Sequence, residues 1–243
     1  AATMFALQER AGARTPHARD LLAEVDGLSS VSGGSLTAAY YAISSDDPTG
    51  GATGRVWSRD AVQPRLLKNY RLRWFGNWFW PHNAARFWFT HFDRTDIMAQ
   101  TLADNLFDAK RRDLHVGQDF AIKDLRAERP YLILNSTNVS RNKTRDPDKD
   151  GKANEHFAQS FTFTTEDFAT IGSNLEEYSL ARAVMASATF PGVFNTMTLR
   201  DYTAGDSARR RYVHLFDGGN SDNLGVNSLI RVLRSLSDEE RRE

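Results

Sequence analysis

The stretch Ser30-Val31-Ser32-Gly33-Gly34 decides the fold, because it joins a predicted strand to a predicted helix through small residues. Residues 25–31 have the pattern of a short strand, and residues 35–43 have helical spacing. A sharp turn of this kind exposes a serine hydroxyl at the edge of a sheet, where a neighbouring base can activate it. Ser32 is therefore a candidate nucleophile, and the backbone N–H of Gly33 is a candidate donor to a developing oxyanion.

This pattern leaves alternatives open. Compared with the motif G-x-S-x-G, a serine, Ser30, takes the place of the first glycine. Gly33-Gly34 is also compatible with a plain flexible turn. Ser29, Ser30 and Ser35 are weaker nucleophile candidates, and Ser35 would lie about one turn into the helix.

Composition restricts the classes of function. The chain has 243 residues, 31 Lys plus Arg, 31 Asp plus Glu and no cysteine. The missing cysteines exclude disulfides, thiolate catalysis and Cys-ligated zinc. A net charge of zero argues against a nucleic-acid partner. No stretch approaches the roughly 20 apolar residues of a spanning helix, and no signal peptide is visible. The sequence leaves compartment and oligomeric state open.

Strands and helices alternate along the chain. Strand patterns lie at 25–31, 131–137, 157–165 and 212–216, and helical patterns lie at 35–43, 96–106, 178–188 and 227–236. This order predicts an α/β fold, a three-layer α/β/α sandwich with a central, mostly parallel sheet. The polar residues 141–154 are predicted to form a long loop.

Asp217 is the best candidate for the base. It follows the strand pattern 212–216 and precedes Gly218-Gly219, so its carboxylate can be presented at the edge of the sheet. A plain Asp-Gly turn is the alternative. A histidine-dependent α/β-hydrolase would place Ser, acid and His in that order, and no histidine follows Asp217. His156 remains open as a base, with an acid from residues 146–150.

Three blocks resemble the patatin-like phospholipases: the elbow at 30–35, the segment Ala183–Phe194 and Phe216-Asp217-Gly218-Gly219. The resemblance spans nearly the whole chain. It implies a Ser–Asp dyad in which Ser32 attacks an ester carbonyl and Asp217 takes the proton. It also implies a lipid or acyl-ester substrate and neither a metal nor an organic cofactor. The alternatives are a histidine-dependent esterase and a catalytically impaired, lipid-binding relative.

One feature departs from the family pattern. Patatin-like proteins carry a glycine-rich loop upstream of the elbow that completes the oxyanion hole, and this sequence has no such loop. Residues 1–6 resemble the helix that follows it. We therefore expect residues 1–243 to form a single, N-terminally incomplete acyl hydrolase domain, with Gly33 and Gly34 as its oxyanion and elbow residues.

Residues 70–92 are dense in aromatic side chains interleaved with arginines. They are predicted to line an acyl-binding entrance above Ser32 or to form a peripheral membrane contact, since aromatic rings favour the lipid–water boundary. A buried helical layer is the alternative. The candidate substrate-binding residues are Trp78, Trp80, Trp88 and Phe190.

Residues 146–151 begin like a calcium-binding loop. The twelfth position of the motif is Phe157 in place of glutamate, and Pro147 is unusual there. We therefore expect a solvated loop and no metal site.

Overall fold

The computed structural model describes residues 1–12, 20–90, 92–107, 119–140, 142–147, 153–156, 159–203 and 211–235. Its helices are α1 (Ala2–Gly12), α2 (Gly33–Ile43), α3 (Arg59–Leu66), α4 (Tyr70–Trp78), α5 (Pro81–Phe89), α6 (Arg94–Leu102), α7 (Thr165–Thr170), α8 (Leu180–Ser187) and α9 (Val226–Ser235). Its strands are β1 (Gly27–Val31), β2 (Tyr131–Asn138), β3 (Asn142–Pro147), β4 (Ala153–His156), β5 (Gln159–Thr162), β6 (Met197–Asp201) and β7 (Arg211–Asp217). None of these helices is long and apolar enough to cross a bilayer.

The central sheet is mixed, so the prediction of a mostly parallel sheet is wrong. β1 pairs with β2 in parallel, whereas β5 and β7 pair with β2 in antiparallel fashion and β6 pairs with β7 in the same way. Parallel neighbours need a crossover of a dozen or more residues, usually a helix. Residues 202–210 are too few for such a crossover, so β7 must run back along β6.

β1 and β7 share one edge of β2. Asn135 pairs with Val31 of β1 and with Thr162 of β5, which places these two strands on opposite edges. The next residue of β2, Ser136, pairs with Asp217 of β7 and again with β5. β1 therefore occupies the first half of one edge and β7 the second half. Since they run in opposite directions, their carboxyl ends meet between them.

Helices cover both faces of this sheet, which confirms the α/β/α class. Neighbouring side chains of a strand point to opposite faces. Ser30 accepts a hydrogen bond from Ser35 of α2, with 3.1 Å between the hydroxyl oxygens. Ser29 lies 3.1 Å from Ser228 of α9, measured between the same atoms. α2 and α9 therefore lie on opposite sides of β1.

The core between the sheet and α2 and α8 is made largely of small side chains. Ala39 of α2 and Ala183 and Ala186 of α8 are fully buried, and they belong to the same apolar cluster as Leu132 and Leu134 of β2. Alanine allows a helix to lie close to a sheet while retaining high helix propensity. This close packing brings the end of α8 to the β1–α2 turn.

The predicted loop at 141–154 contains an antiparallel hairpin of β3 and β4, so that prediction is wrong for the described part. Pairing between two strands stabilises polar segments that have no apolar periodicity, because it satisfies the backbone groups. Residues 148–152 and Phe157 of the candidate calcium loop lie outside the described residues.

A substitution at Gly218 tests how closely the end of β7 approaches β2. A Cβ atom on Gly218 would overlap the Asn135 carbonyl oxygen and lie 3.2 Å from Val31 Cγ1. We expect Gly218→Ala to lower the free energy of unfolding by about 1–3 kcal/mol, because buried backbone must move. Denaturant unfolding followed by circular dichroism measures this change.

Gly76→Ala in α4 is the matched control, since a Cβ atom there would meet open space. Alanine should stabilise this helix position by up to about 1 kcal/mol. Equal stability of Gly218→Ala and the parent chain would refute the tight approach.

Candidate active site

Ser32 occupies the turn between β1 and α2 in a strained backbone conformation. Its φ is 53° and its ψ is −130°, and among the described residues it is the one non-glycine with positive φ. Such conformations cost on the order of 1–3 kcal/mol for a residue with a Cβ atom and collect at functional sites. The sequence correctly located this turn, and the structure adds that it is strained at the serine itself.

The Ser32 hydroxyl faces Asp217. Ser32 Oγ donates a hydrogen bond to Asp217 Oδ2 with an oxygen–oxygen distance of 2.6 Å. This is a short contact, typical of a hydroxyl that donates to a carboxylate. The two residues are brought together because β1 and β7 end at Asn135 and Ser136 of the same strand.

Hydrogen bonds fix both the carboxylate and the backbone of Asp217. It is 5% exposed, and its other carboxylate oxygen, Oδ1, accepts a 2.8 Å hydrogen bond from the backbone N–H of Gly219. Its backbone N–H donates to the carbonyl of Thr189, and its carbonyl accepts from the Thr137 hydroxyl. These bonds leave Oδ2 directed at Ser32, so the carboxylate does not need to reorganise before it accepts a proton.

Ser187 at the end of α8 anchors the strained turn. The backbone N–H of Ser32 donates to both the carbonyl and the hydroxyl oxygen of Ser187, at 3.2 and 3.1 Å. The Ser187 hydroxyl donates to the Asn135 carbonyl at 2.6 Å and lies 2.9 Å from the hydroxyl of Ser35. Asn135 in turn donates its side-chain amide to the carbonyl of Ser30.

Sequence reasoning missed these supporting roles. Ser187 lies inside the Ala183–Phe194 block that resembled the family, but its spacing gives no sign that it contacts Ser32. Ser35, a weaker nucleophile candidate from the sequence, is fully buried. A buried small hydroxyl in a helix next to a glycine turn is the signal that could have indicated a hydrogen-bonding role.

Gly33 and Gly34 form the exposed first turn of α2. The first N–H groups of a helix have no intrahelical acceptor, and they carry the positive end of the helix dipole. A Cβ atom on either glycine would meet open space, so a ligand oxygen can approach this backbone. The arrangement fits the predicted oxyanion role.

The described histidine side chains lie elsewhere. His214 hydrogen-bonds through Nδ1 to the Thr198 hydroxyl, at 3.1 Å, and His82 packs against Trp80. Neither hydrogen-bonds to Ser32 or Asp217. His17, His91 and His115 lie outside the described residues, and nothing is described of the side chain of His156.

His214 lines a separate cleft of about 550 Å³ between α6, α8 and the β6–β7 pair. Its lining includes Asp96 and Arg182, which form an ion pair, and neither Ser32 nor Asp217. Burial raises the pKa of the Asp96 carboxyl even though Arg182 lies beside it. Among the described residues, no cluster of three or more His, Asp or Glu side chains is arranged to hold a metal ion.

The four candidate substrate-binding residues lie in two settings, the segment after α8 and the helices α4 and α5 with the turn between them. Phe190 is 62% exposed and directly follows Thr189, which holds the backbone of Asp217. Trp80 and Trp88 are exposed and Trp78 is half-buried. Ring contacts connect the two settings through Trp88–Phe87, Phe87–Trp78, Trp78–Trp74 and Trp74–Phe194, with centroids 5.2–6.0 Å apart. Their role in binding substrate stays a prediction.

A comparison with protein-family models matches residues 2–230 to the patatin-like phospholipases. No curated protein and no solved structure matches the chain. The match covers the elbow, the α8 segment and the Asp217 block together. The chain therefore belongs to the patatin-like phospholipase family, whose chemistry is lipid acyl hydrolysis.

Proposed function

We propose that this chain hydrolyses carboxylic esters of acyl lipids through an acyl-serine intermediate, with Ser32 as nucleophile and Asp217 as general base. The observation that carries the proposal is the 2.6 Å hydrogen bond between Ser32 Oγ and Asp217 Oδ2 at a strained strand-to-helix turn. Family membership supports the lipid substrate class.

In the first half of the reaction, Ser32 Oγ attacks the carbonyl carbon of the ester while its proton passes to Asp217 Oδ2. The carbonyl oxygen becomes an oxyanion, which the backbone N–H of Gly33 is placed to stabilise. The tetrahedral intermediate collapses when the bond to the leaving alcohol breaks, and that alcohol takes the proton from Asp217.

In the second half, water attacks the acyl-serine and gives its proton to Asp217. A second tetrahedral intermediate releases the fatty acid and returns the proton to Ser32 Oγ. The burial of Asp217 and its bond from Gly219 N–H keep one oxygen of the carboxylate directed at the reacting serine through both halves.

The hydroxyl and amide groups around the turn hold the nucleophile in place. Ser187 accepts from the backbone N–H of Ser32, which offsets part of the strain at the turn. Gly218 allows β7 to lie against β2, so that Asp217 reaches Ser32. The proposed reaction uses only these groups of the chain and water.

The dyad is tested by hydrolysis of a short-chain p-nitrophenyl ester. We expect Ser32→Ala and Asp217→Asn each to lower kcat/KM by at least about 10³-fold, because both groups act in the same proton transfer. Ser140→Ala and Asp222→Asn are the matched controls, since each removes a buried group of the same kind whose side chain hydrogen-bonds to neither Ser32 nor Asp217.

Three outcomes contradict the dyad. Equal activity of Ser32→Ala and the parent chain would exclude Ser32 as the nucleophile. Loss of activity on replacing His156 would favour the histidine-dependent esterase. Inactivity of the parent chain on all esters, together with lipid binding, would identify a catalytically impaired relative.

Ser187 is expected to act as a positioning residue. Ser187→Ala should slow covalent labelling of Ser32 by a fluorophosphonate probe about ten-fold, because the turn loses one of its two anchors on the Ser32 N–H. Intact-mass spectrometry follows the labelling rate. We expect the change in kcat to exceed the change in KM.

Ser140→Ala separates this effect from a general loss of stability. Ser140 is also buried, and its hydroxyl accepts the backbone N–H of His214 away from the dyad. Both variants should lose about 1–2 kcal/mol of unfolding free energy. Equal labelling rates for the two variants at matched stability would show that Ser187 has no role in positioning Ser32.

A further inference from the structure

The charges of this neutral chain are segregated around the aromatic helices. Between Asp60 and Asp93 there is no acidic residue, and this interval carries five cationic side chains: Arg65, Lys68, Arg71, Arg73 and Arg86. The exposed Arg71 and Arg73 of α4 contribute a local positive charge that the net charge of zero conceals, whereas Arg86 lines a cleft together with Asp96, Asp104 and Asp119.

Large apolar side chains of the same interval point into solvent. We define the α4–α5 surface by its exposed residues, which are Leu72, Phe75, Phe79, Trp80, Trp88 and Phe89. Phe89 is 86% exposed and Trp88 is 78% exposed, although full burial of such a side chain is worth about 1.5–3 kcal/mol. Large apolar side chains exposed on two neighbouring helices are typical of an interaction site.

This surface is not needed to hold the two helices on the protein. The opposite side of α4 carries Trp74, which contacts Phe194 edge-on, and Trp78, which contacts Phe87 at a tilted angle. Trp74 Nε1 also donates to the Arg94 carbonyl. Leu72, Phe75 and Phe79 recur at helical spacing on the outer side, where Phe75 and Phe79 contact each other. Folding therefore accounts for the inner rings and leaves the outer ones without a structural role.

The inner rings connect this surface to the dyad. Trp74 contacts Phe194, with 5.5 Å between ring centroids, and Phe194 ends the turn that begins at Phe190. The residue before this turn, Thr189, accepts the backbone N–H of Asp217. A lipid that leaves a bilayer beneath the α4–α5 surface would therefore lie next to the segment 189–194, which is hydrogen-bonded to Asp217 of the proposed catalytic site.

We propose that the α4–α5 surface docks this protein on the surface of an anionic lipid bilayer. The aromatic rings and Leu72 enter the interfacial layer, and Arg71, Arg73 and the neighbouring cations bind anionic headgroups. This proposal rests on the proposed lipid hydrolase function, because docking would deliver the ester substrate to Ser32.

Other occupants fit the surface less well. Single-stranded nucleic acid needs flat rings for stacking, and Leu72 offers a nucleobase no such face. A second copy of this chain would bring the exposed Arg71 and Arg73 of each surface towards those of the other. An anionic bilayer matches both the apolar rings and the positive charge.

Binding to vesicles is tested with the Ser32→Ala protein, so that hydrolysis plays no part in the measurement. Sedimentation is compared for vesicles of phosphatidylglycerol and phosphatidylcholine in equal amounts and for vesicles of phosphatidylcholine alone. We expect stronger binding to the anionic vesicles, and weaker binding at high salt because the charges are screened.

Two sets of variants separate the apolar and the cationic contributions. Leu72→Gln, Phe75→Gln and Phe89→Gln combined should lower vesicle partitioning at least about ten-fold, since apolar area no longer enters the interface. Arg71→Gln with Arg73→Gln should lower it about 25-fold, at roughly five-fold for each cation. Arg200→Gln with Arg211→Gln, two exposed arginines on β6 and β7, is the charge-matched control and should bind like the parent.

The same apolar triple variant in the Ser32 background should keep its activity on a soluble p-nitrophenyl ester. Activity and vesicle binding thus test the two proposals separately. If the parent chain does not hydrolyse the ester but the protein binds anionic vesicles, the proposed function is refuted and the docking surface is retained. The docking proposal is overturned if both variant sets bind vesicles like the parent. It is also overturned if the variants leave vesicle binding unchanged and instead abolish either of two other properties. These are self-association, measured by ultracentrifugation, and oligonucleotide binding, measured by fluorescence anisotropy.

Discussion

The proposed active site depends on two strands that end against the same edge of β2. β1 pairs with the first half of that edge and β7 with the second half, in opposite directions, so their last residues pair with Asn135 and Ser136. Ser32, the residue after β1, and Asp217, the last residue of β7, are thereby brought within hydrogen-bond distance of each other. Close approach of the backbones makes this possible, and Gly218 is the residue at which that approach leaves no room for a Cβ atom.

A serine in the conformation of Ser32 must be stabilised by its surroundings. The groups that do so are small and buried: the hydroxyls of Ser187 and Ser35 and the side-chain amide of Asn135. Each bonds to backbone at the turn or to another member of the set. Buried hydrogen bonds of this kind favour one arrangement, because a shift that breaks them would leave further donors or acceptors unpaired. The strain at the nucleophile and the buried hydrogen bonds beneath it are parts of one arrangement.

The aromatic helices show how a chain of zero net charge can still present a charged surface. Their inner rings pack on α6 and on Phe194, and their outer rings and arginines remain exposed. Average composition cannot reveal this, because the compensating acidic residues lie in other parts of the chain. Which side of α4 is buried and which is exposed depends on the elements that the helix packs against. That packing also joins the surface to the segment that holds Asp217.

The sequence by itself determined the strand–turn–helix unit at Ser32, the Asp-Gly-Gly end of β7 and the α/β class, since these follow from local periodicity and turn chemistry. It could not determine strand direction, because direction depends on which edges are free and on how far each connection can reach. For this reason it expected a mostly parallel sheet. It missed the β3–β4 hairpin because those polar strands have no apolar periodicity. The roles of Ser187 and Asn135 were likewise invisible, since each lies more than a hundred residues from Ser32 or Ser30 in the chain and meets it only through the packing of α8 and β2. Turns and single elements depend on neighbouring residues and can be predicted from the sequence. A site that combines several strands forms only when tertiary packing determines the order and direction of those strands.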